Sequence, residues 1–136
     1  MDKKTLLKIK SIERNAYPLE MQQLQDCTSW EDVAEYCEVP LNDLLVYTEA
    51  NMYILIGEHR SFIEVVDMAS VGRFNIFKAL NFIASSAKGR TIKLDAREGT
   101  SYPLILKLRK KIEIIRDEAW QWGEDVMHEM EVRIIK

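Results

Sequence analysis

Between residues 4 and 16, Leu6, Ile9, Glu13 and Ala16 recur at helical spacing with Ile12 beside them. This predicts an amphipathic helix that ends ahead of Pro18, because the residue before a proline avoids helical backbone. A second helix is predicted where Trp30, Val33, Ala34 and Cys37 share one face. Thr28-Ser29-Trp30-Glu31 reads as its capping box: the Thr28 hydroxyl accepts from the Glu31 N–H, and the Glu31 carboxylate accepts from the Thr28 N–H. Its stop is expected before Pro40.

After Pro40 the apolar period shortens to that of strands. Leu44 to Thr48, Met52 to Ile56 and Phe62 to Met68 are separated by short polar connections containing Asn51 and Gly57-Glu58-His59-Arg60, the pattern of an antiparallel meander. Beyond Val71-Gly72-Arg73 a third helix is predicted, with Phe74, Phe77, Leu80 and Ala84 on one side, Ile76 and Ile83 adjacent, and Lys88-Gly89 as its stop. Arg90 to Asp95 alternates as a strand. Thr100 or Ser101 is placed to cap a fourth helix with Pro103 in its first turn, and two strands follow, near Ile112 to Arg116 and Val126 to Ile135. The predicted order is α, α, β, β, β, α, β, α, β, β, a single α+β domain.

Within that order, residues 61–97 form a βαβ unit whose crossover is expected to be right-handed. The helix after Gly72 should begin with unpaired backbone N–H groups, a ready site for a phosphate or pyrophosphate.

The chain has 136 residues, of which 47% are hydrophobic and 30% charged, so it can bury a core without staples and is not a disordered tail. With a net charge of −3 and no long run of like charges, it lacks the electrostatic footprint of a nucleic-acid binder, and no nucleic acid is expected as a partner. The local basic stretch Lys107, Arg109, Lys110 and Lys111 reads as a solvated helix end. Cys27 and Cys37 fall in one helical region, match no metal or redox motif, and are expected to be reduced. No apolar stretch reaches signal-peptide or transmembrane length, which leaves no membrane partner and a cytoplasmic protein as the expectation.

Three segments resemble the GNAT superfamily of acetyl-CoA-dependent N-acetyltransferases. Ile12-Glu13-Arg14-Asn15-Ala16-Tyr17-Pro18 is similar to its I-E-x-x-[AS]-[FY]-P opening helix. Phe62 to Arg97 resembles its cofactor-binding βαβ core, and the helix from Ser101 with the two following strands is similar to its C-terminal third. Small GNAT-like proteins of bacteriophage genomes are a narrower resemblance, which would place the protein in a host cytoplasm. The resemblance implies a mixed, twisted sheet of about six strands with four helices, lacking the family's first strand. It also implies acetyl-CoA as cofactor, with the acyl arm along Met68, Ala69 and Ser70 and the phosphates near Gly72, Arg73 and Phe74. Where the family's loop reads [QR]-x-x-G-x-[GA], this chain has Ala69-Ser70-Val71-Gly72-Arg73-Phe74-Asn75, with a single glycine.

Catalysis in that superfamily is positioning aided by a general base and by a tyrosine that returns a proton to the departing thiolate. Glu64 and Asp67 are the candidate bases on the expected strand. Their spacing points them to opposite faces, and family position favours Glu64. Tyr102 is the candidate acid, although the family's tyrosine lies nearer the helix end, where this chain has Leu106, Lys107 and Leu108. In the C-terminal segment, Trp120 and Trp122 read as core or interface anchors and His128 as an ordinary strand residue. The spacing of Glu124 and His128 does not make a zinc site, and no metal is expected. His59 is expected at the surface of a hairpin turn.

Two functional expectations follow from different classes. One is an N-acyltransferase that moves an acetyl group to an amine. The other is a catalytically silent relative that binds a protein partner, such as a phage protein docking on a host factor. A homodimer formed through an exposed strand edge is a third possibility.

Overall fold

The computed structural model describes residues 2–16 and 23–135. It is an α+β protein with a mixed six-stranded sheet in the order β1-β2-β3-β4-β6-β5. The strands are β1 (Leu44–Glu49), β2 (Met52–Glu58), β3 (Phe62–Ser70), β4 (Thr91–Arg97), β5 (Ile112–Trp122) and β6 (Asp125–Ile134), and the helices α1 (Lys3–Ala16), α2 (Trp30–Cys37), α3 (Ile76–Ala87) and α4 (Ser101–Leu106). Residue contacts divide the chain into two compact units, Met1–Glu58 with Val66–Phe82 and His59–Val65 with Ile83–Lys136.

In the first unit, α1 buries Leu6, Ile9 and Ile12 on its predicted face, together with Glu13. Tyr17 and Pro18 of the family-like opening pattern lie outside the described residues. The α2 helix buries Trp30, Val33, Ala34 and Cys37 as its spacing predicts. Its cap is shifted by one residue from the predicted box. Ser29 is the N-cap and accepts from the Asp32 N–H, while Asp32, not Glu31, accepts from the Thr28 N–H and hydroxyl. With two hydroxyl residues in a row, either can cap, and Ser29 is the one that leaves Trp30 at the first helical position, facing the core. Glu38 ends the helix in the left-handed region at φ 59°, its N–H turned back to the carbonyls of Ala34 and Glu35. Cys27 precedes α2 and both cysteines are buried.

The β1–β2 hairpin is antiparallel, with Leu44 opposite Gly57 and Glu49 opposite Met52. β2 is buried from Met52 through Gly57. Gly57 is required there because a Cβ at this position would stand 2.6 Å from Val39 Cγ1. The end of β3 is tied to this hairpin by the Val71 N–H, which donates to the Asn51 carbonyl across 2.8 Å.

The third helix differs from its prediction in start and face. Asn75 Oδ1 accepts from the amides of Phe77 and Lys78, so the helix begins after Asn75 and not at Gly72, which forms an open bend at φ 71°. The residues turned inward are Ala79, Ser86 and Ala87, whereas Phe77 is 66% exposed. Summed hydrophobicity selects the aromatic stripe, but the small residues occupy the packed face. Phe82, one position beyond the predicted stripe, stacks on Tyr47 with centroids 5.1 Å apart.

In the second unit, β3 and β4 pair in parallel through Phe62–Thr91, Ile63–Ile92 and Glu64–Lys93, as the βαβ reading requires. β4 and β5 flank β6, both antiparallel to it. β5 runs on to Trp122, well beyond its predicted end. Trp122 pairs with Asp125, leaving a two-residue turn in which Gly123 takes φ 61°. Trp120 and Trp122 are therefore strand residues. A bulge falls at Ile115. In α4, Thr100 occupies the N-cap position without a side-chain bond, and Ser101 Oγ instead accepts from the Arg97 N–H at 2.9 Å.

Candidate functional site

β3 carries both candidate bases, and their surroundings differ. Glu64 is 46% exposed in its side chain, with the His59 imidazole 3.6 Å away. His59 is half-buried, stacked on Phe62 with centroids 4.3 Å apart, and Lys93 Nζ lies 4.0 Å from the centroid of that same ring.

Asp67 sits within the first unit. Its Oδ2 accepts from the Tyr53 hydroxyl at 3.0 Å and the Tyr36 hydroxyl at 3.5 Å, and its Oδ1 from the Met68 N–H at 2.9 Å. Burial pushes the Asp67 carboxyl up to about 6, opposed by the Tyr53 bond and assisted by the negative charge of Glu13. Glu13 is itself buried and accepts from Gln25 Nε2 at 3.0 Å. Burial and the Asp67 charge push both phenols well above their ordinary value, so Tyr36 and Tyr53 stay donors. The arrangement gives one carboxyl a raised proton affinity, able to take and release a proton at about pH 6. Sequence alternation separated Asp67 from Glu64 but gave no sign of the two tyrosines, which come from β2 and α2.

The residues expected to line a cofactor are dispersed in character. Ala69 is buried in the core, while Met68 and Ser70 are half-buried on β3. Gly72 and Arg73 are exposed in the bend ahead of α3, Phe74 is partly covered, and a Cβ at Gly72 would meet no atom within 4 Å. Gly72 thus supplies a left-handed bend and not a close backbone approach.

A second constellation, missed by sequence reasoning, lies in the second unit. His128 on β6 is buried, with Nδ1 2.8 Å from Asp117 Oδ1 on β5 and Nε2 3.1 Å from Glu98 Oε1 just after β4. The Tyr102 ring of α4 lies flat on the imidazole, with centroids 3.6 Å apart and planes within 6°, and its hydroxyl donates to Asp117 Oδ2 at 2.5 Å. Burial works against a charge on His128, but the hydrogen bonds and charges of Asp117 and Glu98 outweigh it and raise its affinity for a proton. At Asp117, burial is likewise outweighed by the bonds from Tyr102 and His128, which hold the carboxyl below its usual range. Tyr102 is pushed up, chiefly by its bond to Asp117, so its proton is held and not offered. The sequence carried no signal for it, since Asp117 lies just past the predicted end of β5 and Tyr102 and His128 fall on separate predicted elements.

Trp120 and Trp122 stand 41% and 44% exposed on β5 with centroids 6.5 Å apart, and Arg97 lies 5.9 Å from the Trp122 ring centroid. Leu106, Lys107, Arg109 and Lys110 line an open depression after α4. Among the described residues, no group of His, Cys, Asp and Glu is placed to hold a metal ion, and no helix is long and apolar enough to cross a membrane. In comparisons with known proteins, no family model and no curated protein matches this sequence.

Proposed function

We propose that the protein is an acyl-CoA-dependent N-acyltransferase, with acetyl-CoA as donor and an amine as acceptor. The observation that carries this reading is a carboxyl whose proton affinity burial raises to about 6, on the strand that leads into the βαβ crossover: Asp67, with Tyr53 and Tyr36 as donors. An ammonium acceptor must lose a proton before it can attack, and a base with its affinity so raised is suited to take it. Asp67 therefore replaces Glu64 as the candidate base. Acetyl-CoA, when bound, supplies the acyl thioester. The Arg73 guanidinium would pair with its pyrophosphate, and the backbone of Met68, Ala69 and Ser70 would border the acyl arm.

The test is thermal unfolding with and without millimolar acetyl-CoA, followed by thiol release with a panel of amines. A ligand that binds only the folded state raises the midpoint by mass action, and Arg73→Ala should abolish that rise. No shift at millimolar cofactor overturns the reading.

A second reading, a GNAT-like protein that acts by binding another protein, is favoured by one specific observation. Asn75 already occupies the Phe77 and Lys78 amides at the start of α3, so this helix terminus does not offer those amides to a phosphate near Gly72, Arg73 and Phe74. The exposed Trp120 and Trp122 are residue types enriched in binding hot spots. A stable complex formed by a variant lacking acyltransfer would decide for this reading.

A further inference from the structure

We propose that His128 is the proton-operated hub of a clasp that ties the segment following β4, and α4 behind it, to the β5–β6 hairpin. It stands independently of the acyltransfer reading.

Each ring nitrogen of His128 faces a carboxylate oxygen, at 2.8 Å toward Asp117 and 3.1 Å toward Glu98. Carboxylates only accept, so both contacts are satisfied together only when both nitrogens carry hydrogen, as in the imidazolium. The Tyr102 ring covering the imidazole completes the arrangement, an aromatic face against a cation. The register explains why the ring fits: the residues directly opposite His128 are Ala96 on β4 and Ala119 on β5, which present only methyl groups beside the imidazole.

The titratable groups facing the imidazole are Glu98 after β4, Asp117 on β5 and Tyr102 on α4. On the flanking strands, Arg97 pairs with Asp125, and Arg116 with Glu118 and Glu129. His128 stands between these two carboxylates and supplies a positive charge to both.

The backbone also fastens this segment, since the Glu98 N–H donates to the Val126 carbonyl of β6 at 2.9 Å, but beyond Glu98 the ties are few. α4 has no buried residue, and its N-cap Thr100 makes no side-chain bond. Its ties to the sheet include Tyr102 and the Ser101 hydroxyl. When His128 loses its proton to solvent, a neutral ring keeps one N–H, and the shorter contact to Asp117 retains it. The bare nitrogen then faces the Glu98 carboxylate, whose side chain is 56% exposed and free to turn to water. The segment from Glu98 into α4 loosens.

The test is hydrogen exchange of the full chain at about pH 5.5 and about pH 8.5, corrected for intrinsic rates, with His128 titrated by NMR. Protection across residues 98–107 should fall as pH rises, by roughly tenfold for each unit by which His128 titrates above its unfolded value. The β6 amides of Met130 and Val132 should stay protected. Glu98→Gln, a conservative change at an exposed side chain, should lower the His128 titration and flatten the pH dependence at 98–107. Protection independent of pH, loss that runs equally through β6, or an unchanged His128 titration in Glu98→Gln would each overturn the proposal.

Discussion

The Tyr53 hydroxyl donates to the Asp67 carboxylate across 3.0 Å inside the first unit, where Glu13 is buried as well. Burial, with the Glu13 charge adding to it, makes the charge on Asp67 costly, and its proton affinity rises from the ordinary 3.8 to about 6. A group whose affinity is raised on folding stabilises fully below its unfolded value, and that stabilisation is lost as pH climbs through the folded one. Asp67→Asn should therefore be more stable than the parent at about pH 8, by up to roughly 3 kcal/mol, with the gain vanishing near pH 4. Urea unfolding at both pH values measures it. Under the proposed acyltransferase reading, the same variant should lose turnover as it gains stability.

Gly57 faces Val39 with no room for a methyl group. Gly57→Ala should cost about 1–3 kcal/mol, since the obstacle is the buried, branched side chain of Val39. In Val39→Ala the same substitution should cost much less. A double-mutant cycle by chemical denaturation reads the coupling, and additive costs would contradict the contact.

The shifted cap makes a local prediction. Ser29→Ala should cost about 1 kcal/mol, whereas Glu31→Gln should leave stability unchanged. A predicted capping box centred on Thr28 would give the reverse ranking. Thermal melts of the two variants separate the alternatives.

Stability should also respond to pH through His128 and Asp117. His128 binds its proton more tightly in the folded state, so its contribution is full below about pH 6.5 and declines as pH rises through the raised value. Asp117 has the opposite sign: its contribution is present above about pH 3.8 and is lost as pH falls through its lowered value. The denaturation midpoint, followed across pH in Asp67→Asn to remove the other titration, should show a decline on the alkaline side that His128→Asn abolishes.

Among the described residues, apolar periodicity located the four α-helices and six strands, but not the short 3-10 turns at Gln23–Asp26 and Leu41–Asp43, and the parallel pairing of β3 with β4 followed from the helix between them. What periodicity mistook is physical. The packed face of α3 is made of Ala79, Ser86 and Ala87, and a search for large apolar residues chose the exposed Phe77 instead. β5 was ended early because its alternate positions after Arg116 are charged or exposed, as an edge strand allows. The Asp67 cluster was only half visible and the His128 cluster not at all. Each is built from side chains on three or more separate elements, and their meeting depends on strand register and helix placement, to which local spacing is blind.

The boundaries of the two compact units have a practical consequence. The chain leaves the first unit after Glu58, returns at Val66 and departs again after Phe82. No single cut in the polypeptide can separate them. Any truncation that removes one unit takes part of the other with it, including a piece of β3, whose residues are divided between the two. Dissecting this protein into halves would call for circular permutation or new linkers.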